Sequence, residues 1–167
     1  IHLESVTKKL KESGSKITIK GNSITIKGKE IKGVDIDTAP FPGFPTDLQA
    51  PFTVLMTIAN GESKVTETIF ENRMNHIDLL NKMGANIKLN KNVAHIKGVK
   101  EINGMNLVGS DLRSSAALII AGIIAKGSSK IYGLEHLDRG YENFELKLKN
   151  LGIKITREIN KSAFDEN

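Results

Sequence analysis

A repeated α/β fold, mixing helix and strand within each unit, is what this 167-residue chain predicts. Three observations predict it. A helical phrase closed by glycine occurs three times, two stretches at 52–59 and 116–125 are apolar on every side, and short alternating runs follow each glycine. One-sided apolar stripes make surface helices, all-round apolarity makes buried ones, and alternation makes strands.

The elements follow in chain order. Leu3, Val6 and Leu10 form a stripe of helical period that stops at Gly14. Ile17 and Ile19, then Ile24 and Ile26, alternate on either side of Gly21-Asn22 and predict a hairpin. A proline-rich loop, 39–46, leads to a buried helix over Phe52 to Ala59 and a strand over Lys64 to Phe70. Ile77, Leu80 and Met83 repeat the helical stripe and stop at Gly84. Ile87, Leu89, Val93 and Ile96 repeat the hairpin about Asn90-Lys91-Asn92. A second buried helix is expected over Ala116 to Ala125, then a strand over Ser129 to Tyr132. Tyr141, Phe144, Leu148 and Leu151 give a third stripe, ending at Gly152, with a last strand through Ile153 and Ile155.

The order is periodic. Gly14, Gly84 and Gly152 recur at spacings of 70 and 68 residues. Thr46-Asp47-Leu48-Gln49 matches Ser110-Asp111-Leu112-Arg113, and Glu71-Asn72-Arg73 matches Leu137-Asp138-Arg139, at offsets of 64 and 66. Such a period is too long for a solenoid turn, so each repeat is expected to be a small subdomain. The unit reads strand, buried helix, strand, amphipathic helix, strand, strand. About two units are present after the last part of another.

Composition narrows the chemistry. Cysteine is absent, which excludes disulfides, cysteine–zinc sites and thiol catalysis within the chain. The longest apolar run, Ala116 to Ala125, is too short to span a bilayer, and no signal segment opens the sequence. A cytoplasmic location is expected. The net charge of +5 fits an anionic partner, but aromatics are only 5% and tryptophan is absent, which argues against stacking on nucleic acid. No glycine-rich phosphate loop occurs. His2, His76, His95 and His136 lack metal-site spacing, so neither metal nor cofactor is expected.

The candidate site residues are one carboxylate and a set of arginines. Thr46 and Ser110 suit the N-cap, with Asp47 and Asp111 next, where helix starts favour negative charge. For both aspartates, plain complementation of the helix dipole stays open as a reading. The approach to Asp47 is unusual, because three of the four prolines lie in Ala39 to Thr46. A stiff loop delivers the carboxylate at low entropic cost and suggests a position-sensitive task. Only four of the 24 basic residues are arginine, and Arg73, Arg113 and Arg139 fall at repeat junctions. Structural ion pairing is one reading. A shared carboxylate- or phosphate-bearing ligand is the sharper one, since the guanidinium grips such groups through two bonds. His76 and His136, near Arg73 and Arg139, are read as supporting or structural.

Four motifs in this order resemble one family. Asp37-Thr38-Ala39-Pro40-Phe41-Pro42-Gly43-Phe44-Pro45-Thr46-Asp47-Leu48-Gln49-Ala50, Thr66 to Arg73, Ser110 to Ala116 and His136 to Glu142 are similar to the signatures of the UDP-N-acetylglucosamine enolpyruvyl transferases. The resemblance covers about Leu3 to Arg157. It implies an inside-out α/β barrel of the enolpyruvyl transferase type, whose complete form has two domains of three repeats with ligands in the cleft between them. It implies transfer of enolpyruvyl from phosphoenolpyruvate to the 3′-hydroxyl of UDP-N-acetylglucosamine, the first committed step of bacterial peptidoglycan synthesis. By position it gives Asp47 the role of taking the sugar hydroxyl proton. It likewise implies that Ile69 contacts the nucleotide-sugar through its backbone and that Arg139 binds phosphoenolpyruvate. Arg73 and Arg113 line the same cleft.

The family's Lys-Asn pair and its mobile acid loop have no counterpart here. Residue 1 is Ile rather than Met. The expectation is therefore a piece of a longer protein, with residues 1–157 forming part of the C-terminal domain and 158–167 a polar tail, inactive alone. Phosphoenolpyruvate and UDP-N-acetylglucosamine are the expected partners, with no nucleic acid and no membrane; the sequence does not indicate an oligomeric state. The sister enzyme acting on shikimate 3-phosphate, and a non-catalytic basic module that binds polyanions, are the alternatives.

Overall fold

The computed structural model describes residues 2–158. The tail expected over 158–167 thus lies, from residue 159 onward, outside the described residues. The elements run α1 (Glu4–Glu12), β1 (Lys16–Lys20), β2 (Ser23–Lys27), β3 (Ile36–Asp37), a 3-10 turn (Thr46–Leu48), α2 (Gln49–Thr57), β4 (Glu62–Thr66), α3 (His76–Lys82), β5 (Asn86–Asn90), β6 (Val93–Lys97), β7 (Asn106–Val108), α4 (Leu112–Ile124), β8 (Lys130–Tyr132), α5 (Leu134–Asp138) and α6 (Phe144–Asn150).

The recurring glycine phrase is a helix terminator used three times. Gly14, Gly84 and Gly152 have φ of 104°, 102° and 87°, a conformation that costs glycine no clash. Around each, two bonds close the helix. Gly14 N–H donates to the Lys11 carbonyl at 2.9 Å and Ser15 N–H to Leu10 at 3.0 Å. The same pair recurs at Gly84 and Ala85 (3.0 and 3.1 Å) and at Gly152 and Ile153 (2.8 and 3.1 Å). Each satisfies carbonyls left over at the helix end.

Strands assemble into a four-stranded sheet ordered β3-β4-β6-β5, a parallel β7-β8 pair and a β1-β2 hairpin. β3 runs parallel to β4, and β4 and β5 run antiparallel to β6. The β3–α2–β4 and β7–α4–β8 crossovers are the same move made twice. Helices α2 and α4 pack against each other, and α4 also packs on α3 and α5. Val54, Met56, Ala117, Leu118 and Ala121 are fully enclosed. α4 is enclosed from Ser114 to Ile119 and at Ala121, but half-buried at 122–125, so all-round burial does not extend to its end.

Four expectations need correction. The strand expected to reach Phe70 stops at Thr66, because the Glu67 carboxylate turns back to accept the Ile69 and Phe70 N–H groups. The helix expected at Phe52 begins at Gln49, with Pro51 tolerated in its first turn. The last amphipathic helix is preceded by a separate short one, α5, and Asn143 (φ 49°) breaks the path between them. No strand forms at Ile153–Ile155. Its repeat counterparts β1 and β5 each pair with the strand that follows, and no such strand follows among the described residues.

The two hairpins share a sequence pattern but not an environment. Ile96, on β6 between β4 and β5, is 2% exposed. Its repeat counterpart Ile26, on β2, is 52% exposed, with only β1 beside it among the described residues. Ile96→Ala should therefore cost about 2–5 kcal/mol and Ile26→Ala under about 1 kcal/mol. Urea denaturation of the two variants measures both. Equal losses would contradict the placement of the hairpins.

Candidate functional site

The N-terminal ends of α2 and α4 meet at one edge of the core, and the candidate residues collect there. Asp111 is the N-cap of α4. Its Oδ1 accepts Arg113 N–H at 2.9 Å and Ser114 N–H at 3.0 Å, while Ser114 Oγ accepts the Asp111 N–H at 3.2 Å. The cap is therefore Asp111 and not Ser110. Burial acts to raise this carboxyl, but the hydrogen bonds from Ser114, Arg113 and Ser110 outweigh it and hold it below its usual value.

Asp47 occupies the same repeat position and does something else. It makes no cap and sits in a 3-10 turn with no side-chain capping bond. Its carboxylate reaches across to α4. Arg113 Nε donates to Asp47 Oδ1 at 2.7 Å, and Arg113 Nη2 lies 2.5 Å from the same oxygen. Arg73 Nη1 is 3.7 Å from it. Simple dipole complementation does not describe this geometry, in which the carboxylate is flanked by two guanidinium groups and stays two-thirds exposed. Thr46, expected as the cap, instead donates to Glu67 Oε2 at 2.7 Å and accepts from Arg73 Nη1 at 3.0 Å.

Arg73 is further fixed by stacking, with its guanidinium carbon 3.5 Å from the centre of the Phe70 ring. Ile69 is half-buried, and its N–H donates to Glu67 Oε1 at 2.8 Å. That leaves its carbonyl as the backbone group able to meet a ligand. Arg139 is exposed between α5 and α6, with no ion pair or side-chain hydrogen bond among the described residues. It adjoins Gly140, where an added Cβ would lie 2.9 Å from Leu112 of α4. The loop bearing Arg139 therefore packs on the start of α4, next to Arg113. The structure thus joins Asp47, Arg73 and Arg113 directly and places Arg139 on the neighbouring loop.

Three further residues belong to this region. A cleft of about 210 Å³ lies between Arg73 and Arg113, lined also by Asn72, Asn75, His76, Asp111 and Ser114. His76 is 1% exposed and its Nε2 has no partner among the described residues. Burial pulls it down to about 4, against the opposing charge of Asp111, so it is a neutral ring at pH 7. Tyr141 is pushed up, first by burial and then by the charge of Asp47, with Arg113 opposing. Glu67 is 1% exposed and holds four hydrogen bonds. His136, the other histidine read beside an arginine, lies on α5 and has Glu135 3.8 Å away. Spacing alone marks none of these three: Glu67 sits inside an apparent strand, and His76 looks like a routine face residue. The repeat alignment of Arg73 with Arg139 was the available signal for His76, three residues on.

Among the described residues, no group of three or more His, Asp or Glu is placed to hold a metal, and no helix is long and apolar enough to cross a membrane.

Fold and site together define a repeat-built α/β protein with an arginine-lined cleft at the ends of two buried helices. It belongs to the EPSP synthase (3-phosphoshikimate 1-carboxyvinyltransferase) family, whose model matches residues 2–148. A UDP-N-acetylglucosamine 1-carboxyvinyltransferase of Prochlorococcus marinus (strain AS9601) is 88% identical over 166 residues, which is 99% of this chain and 36% of that protein. A protein of the same name from Synechocystis is 49% identical over 157 residues, again 36% of its length. The chain thus spans about a third of the length of these relatives. The enolpyruvyl transferase NikO from Streptomyces tendae superposes with a TM-score of 0.82 at 24% identity, over 92% of this chain and 36% of that one. EPSP synthase from Acinetobacter baumannii gives 0.70 at 16% identity, over 93% and 37%. These two likenesses bear out the expected fold class.

The titrating groups set a pH dependence. His76 has an ordinary value of 6.5 and a folded value of about 4. Between those values the unfolded chain takes up a proton that the native one refuses, so stability falls as pH drops. The loss is on the order of 3 kcal/mol across that window. Glu67 and Asp111, both depressed, add losses only below their unfolded values of 4.5 and 3.8. His76→Leu should flatten the slope between pH 6.5 and 4 and leave the steeper acid limb. Urea denaturation over a pH series reads this, and an unchanged slope would contradict it.

Proposed function

We propose that this chain supplies part of the active site for transfer of enolpyruvyl from phosphoenolpyruvate to the 3′-hydroxyl of UDP-N-acetylglucosamine, in the peptidoglycan pathway of the cytoplasm. The observation that carries the reading is the Asp47 carboxylate, held between Arg113 and Arg73 at the meeting of two helix starts. The names borne by the relatives at 49% and 88% identity support the acceptor.

The chemistry needs an addition followed by an elimination. The sugar oxygen bonds to C2 of phosphoenolpyruvate, its proton passes to a base, and C3 receives a proton from an acid. Loss of phosphate from C2 and of a proton from C3 then restores the double bond. Asp47, beside the two arginines that line the cleft, is the group suited to take the hydroxyl proton. Arg113, Arg73 and Arg139 present fixed positive charge to the carboxylate and phosphate, where charge persists through both steps. The Ile69 carbonyl is the backbone acceptor offered to the nucleotide-sugar. The resemblance assigns the proton donor to a loop outside these residues, with residues 1–157 acting as part of the C-terminal domain.

The pairing of Asp47 with Arg113 has a consequence. Arg113 and Arg73 both lie at Oδ1, so Oδ2 is the oxygen left to accept the hydroxyl proton while the pair fixes the carboxylate.

Asp47→Asn keeps the shape and removes the base. In the native polypeptide carrying this sequence, turnover should fall by on the order of 10²–10⁴ while the melting temperature changes little. Phosphate release and thermal melting, measured together, check this; unchanged turnover returns Asp47 to a structural role. Offering shikimate 3-phosphate in place of UDP-N-acetylglucosamine should give no phosphate release. Preference for shikimate 3-phosphate would overturn the acceptor.

A further inference from the structure

Glu67 is a buried charge with no cation in contact among the described residues. Its carboxylate accepts Thr38 Oγ1 at 2.9 Å, Ile69 N–H at 2.8 Å and Phe70 N–H at 3.2 Å on Oε1, and Thr46 Oγ1 at 2.7 Å on Oε2. An enclosed carboxylate is costly unless such donors surround it. Burial works to raise Glu67, but the bonds from Thr46, Ile69, Thr38 and Phe70 prevail and leave it below its usual value, so it is ionised at neutral pH. Its backbone is clasped as well. Glu67 N–H donates to the Asn92 carbonyl at 2.9 Å, and Asn92 Nδ2 donates to the Glu67 carbonyl at 2.7 Å. The backbone is therefore anchored beside β6, while the carboxylate is held by Thr38, Thr46 and the N–H groups of Ile69 and Phe70.

Two of the partners, Thr46 and Phe70, lead to Arg73, which lines the cleft. Thr46 precedes Asp47 in the chain. Its single hydroxyl proton goes to Glu67, which leaves its lone pairs to receive Arg73 Nη1 at 3.0 Å. Phe70 carries the ring on which Arg73 stacks, and Ile69 carries the carbonyl proposed above to meet the nucleotide-sugar. Thr38 Oγ1 also accepts Thr68 N–H at 2.8 Å, and Thr68 Oγ1 donates to the Thr38 carbonyl. Two segments far apart in sequence, 38–47 and 67–73, thus share one carboxylate.

We infer that Glu67 is a positioning residue for the transfer reaction: its carboxylate locks the segment bearing Asp47 to the segment bearing Ile69 and Arg73, and orients the Thr46 hydroxyl toward itself so that Arg73 is held from the other side. This rests on the function proposed above. The residue touches no reacting atom and acts through Thr46, Ile69 and Arg73. A neutral amide does not substitute. Three donors converge on Oε1, so a glutamine would place its oxygen there and aim its NH₂ at Thr46. The Thr46 proton would then turn out of that contact into the cleft, where Arg73 and Asp47 lie.

The test uses Glu67→Gln, Thr46→Val and Thr46→Ser in the native polypeptide carrying this sequence, with the core variant Leu118→Ala as a stability control. Steady-state kinetics are read for each substrate well below the melting temperature. Glu67→Gln should lower kcat at least tenfold and raise KM for the nucleotide-sugar. Thr46→Val should reproduce the kcat loss and Thr46→Ser should restore it. Leu118→Ala should lower the melting temperature with kcat unchanged. Kinetics of Glu67→Gln that match wild type, or a loss no larger than its unfolded fraction, would overturn the inference. A separate reading on this chain needs no turnover. Glu67→Gln should move the amide proton resonances of Ile69 and Phe70 upfield in a nitrogen–proton spectrum, together with the Arg73 Nε–H signal. Unmoved resonances overturn the positioning role itself, whereas a wild type without transfer activity and with these shifts overturns only the function it serves.

Discussion

Two helices without a polar face, α2 and α4, have to be enclosed, and the rest of the molecule is arranged to enclose them. Their side chains can bury Val54, Met56, Ala117 and Leu118 completely because each helix lies between crossover strands and its neighbour. Such a helix carries its polarity only at its ends, in the N–H groups that lack an intrahelical acceptor. Packing the two helices against each other brings those ends together. The meeting of Asp47 with Arg113 is then a consequence of core packing, not of any local sequence rule.

The repeat makes this visible by contrast. Asp47 and Asp111 descend from the same position in the unit, yet one binds across the interface and the other binds its own helix. The difference lies three residues on. Asp111 is followed by Ser114, whose hydroxyl completes a reciprocal cap, and α4 starts at once. Asp47 is followed by Ala50, which offers no return bond, and a 3-10 turn intervenes before α2. A side chain released from capping is available for a partner in the next unit. Arg113 supplies that partner from the position where the first repeat has Gln49.

Much of the architecture was legible because it is local. Stripes of helical period, the glycine phrases and the hairpin turns each depend on a few adjacent residues. The full terminating bonds at Gly14, Gly84 and Gly152 show how local they are. The cleft was legible in part. Asp47, Arg73 and Arg113 stood out through proline stiffening and the rarity of arginine, and the structure brings the three together. Glu67 and Tyr141 were not, since their importance comes from what surrounds them in space, and His76 was marked only by its place near Arg73. Glu67 ended a strand that alternation alone would continue to Phe70. The strand at Ile153–Ile155 failed for the opposite reason: alternation specifies which face is apolar, not whether a neighbouring strand is present.

The β1–β2 hairpin has nearly the sequence pattern of β5–β6 and almost none of its cover, with Ile19, Ile24 and Ile26 all largely open. Opening it would expose little new apolar surface and break few bonds beyond its own ladder. Local opening free energy follows such quantities, spanning from near zero up to the global value. The hairpin should therefore be the first sheet element to trade its amide hydrogens with heavy water, while those of β5 and β6 wait for the whole core to come apart. One sequence pattern, placed twice in one chain, would then report two timescales.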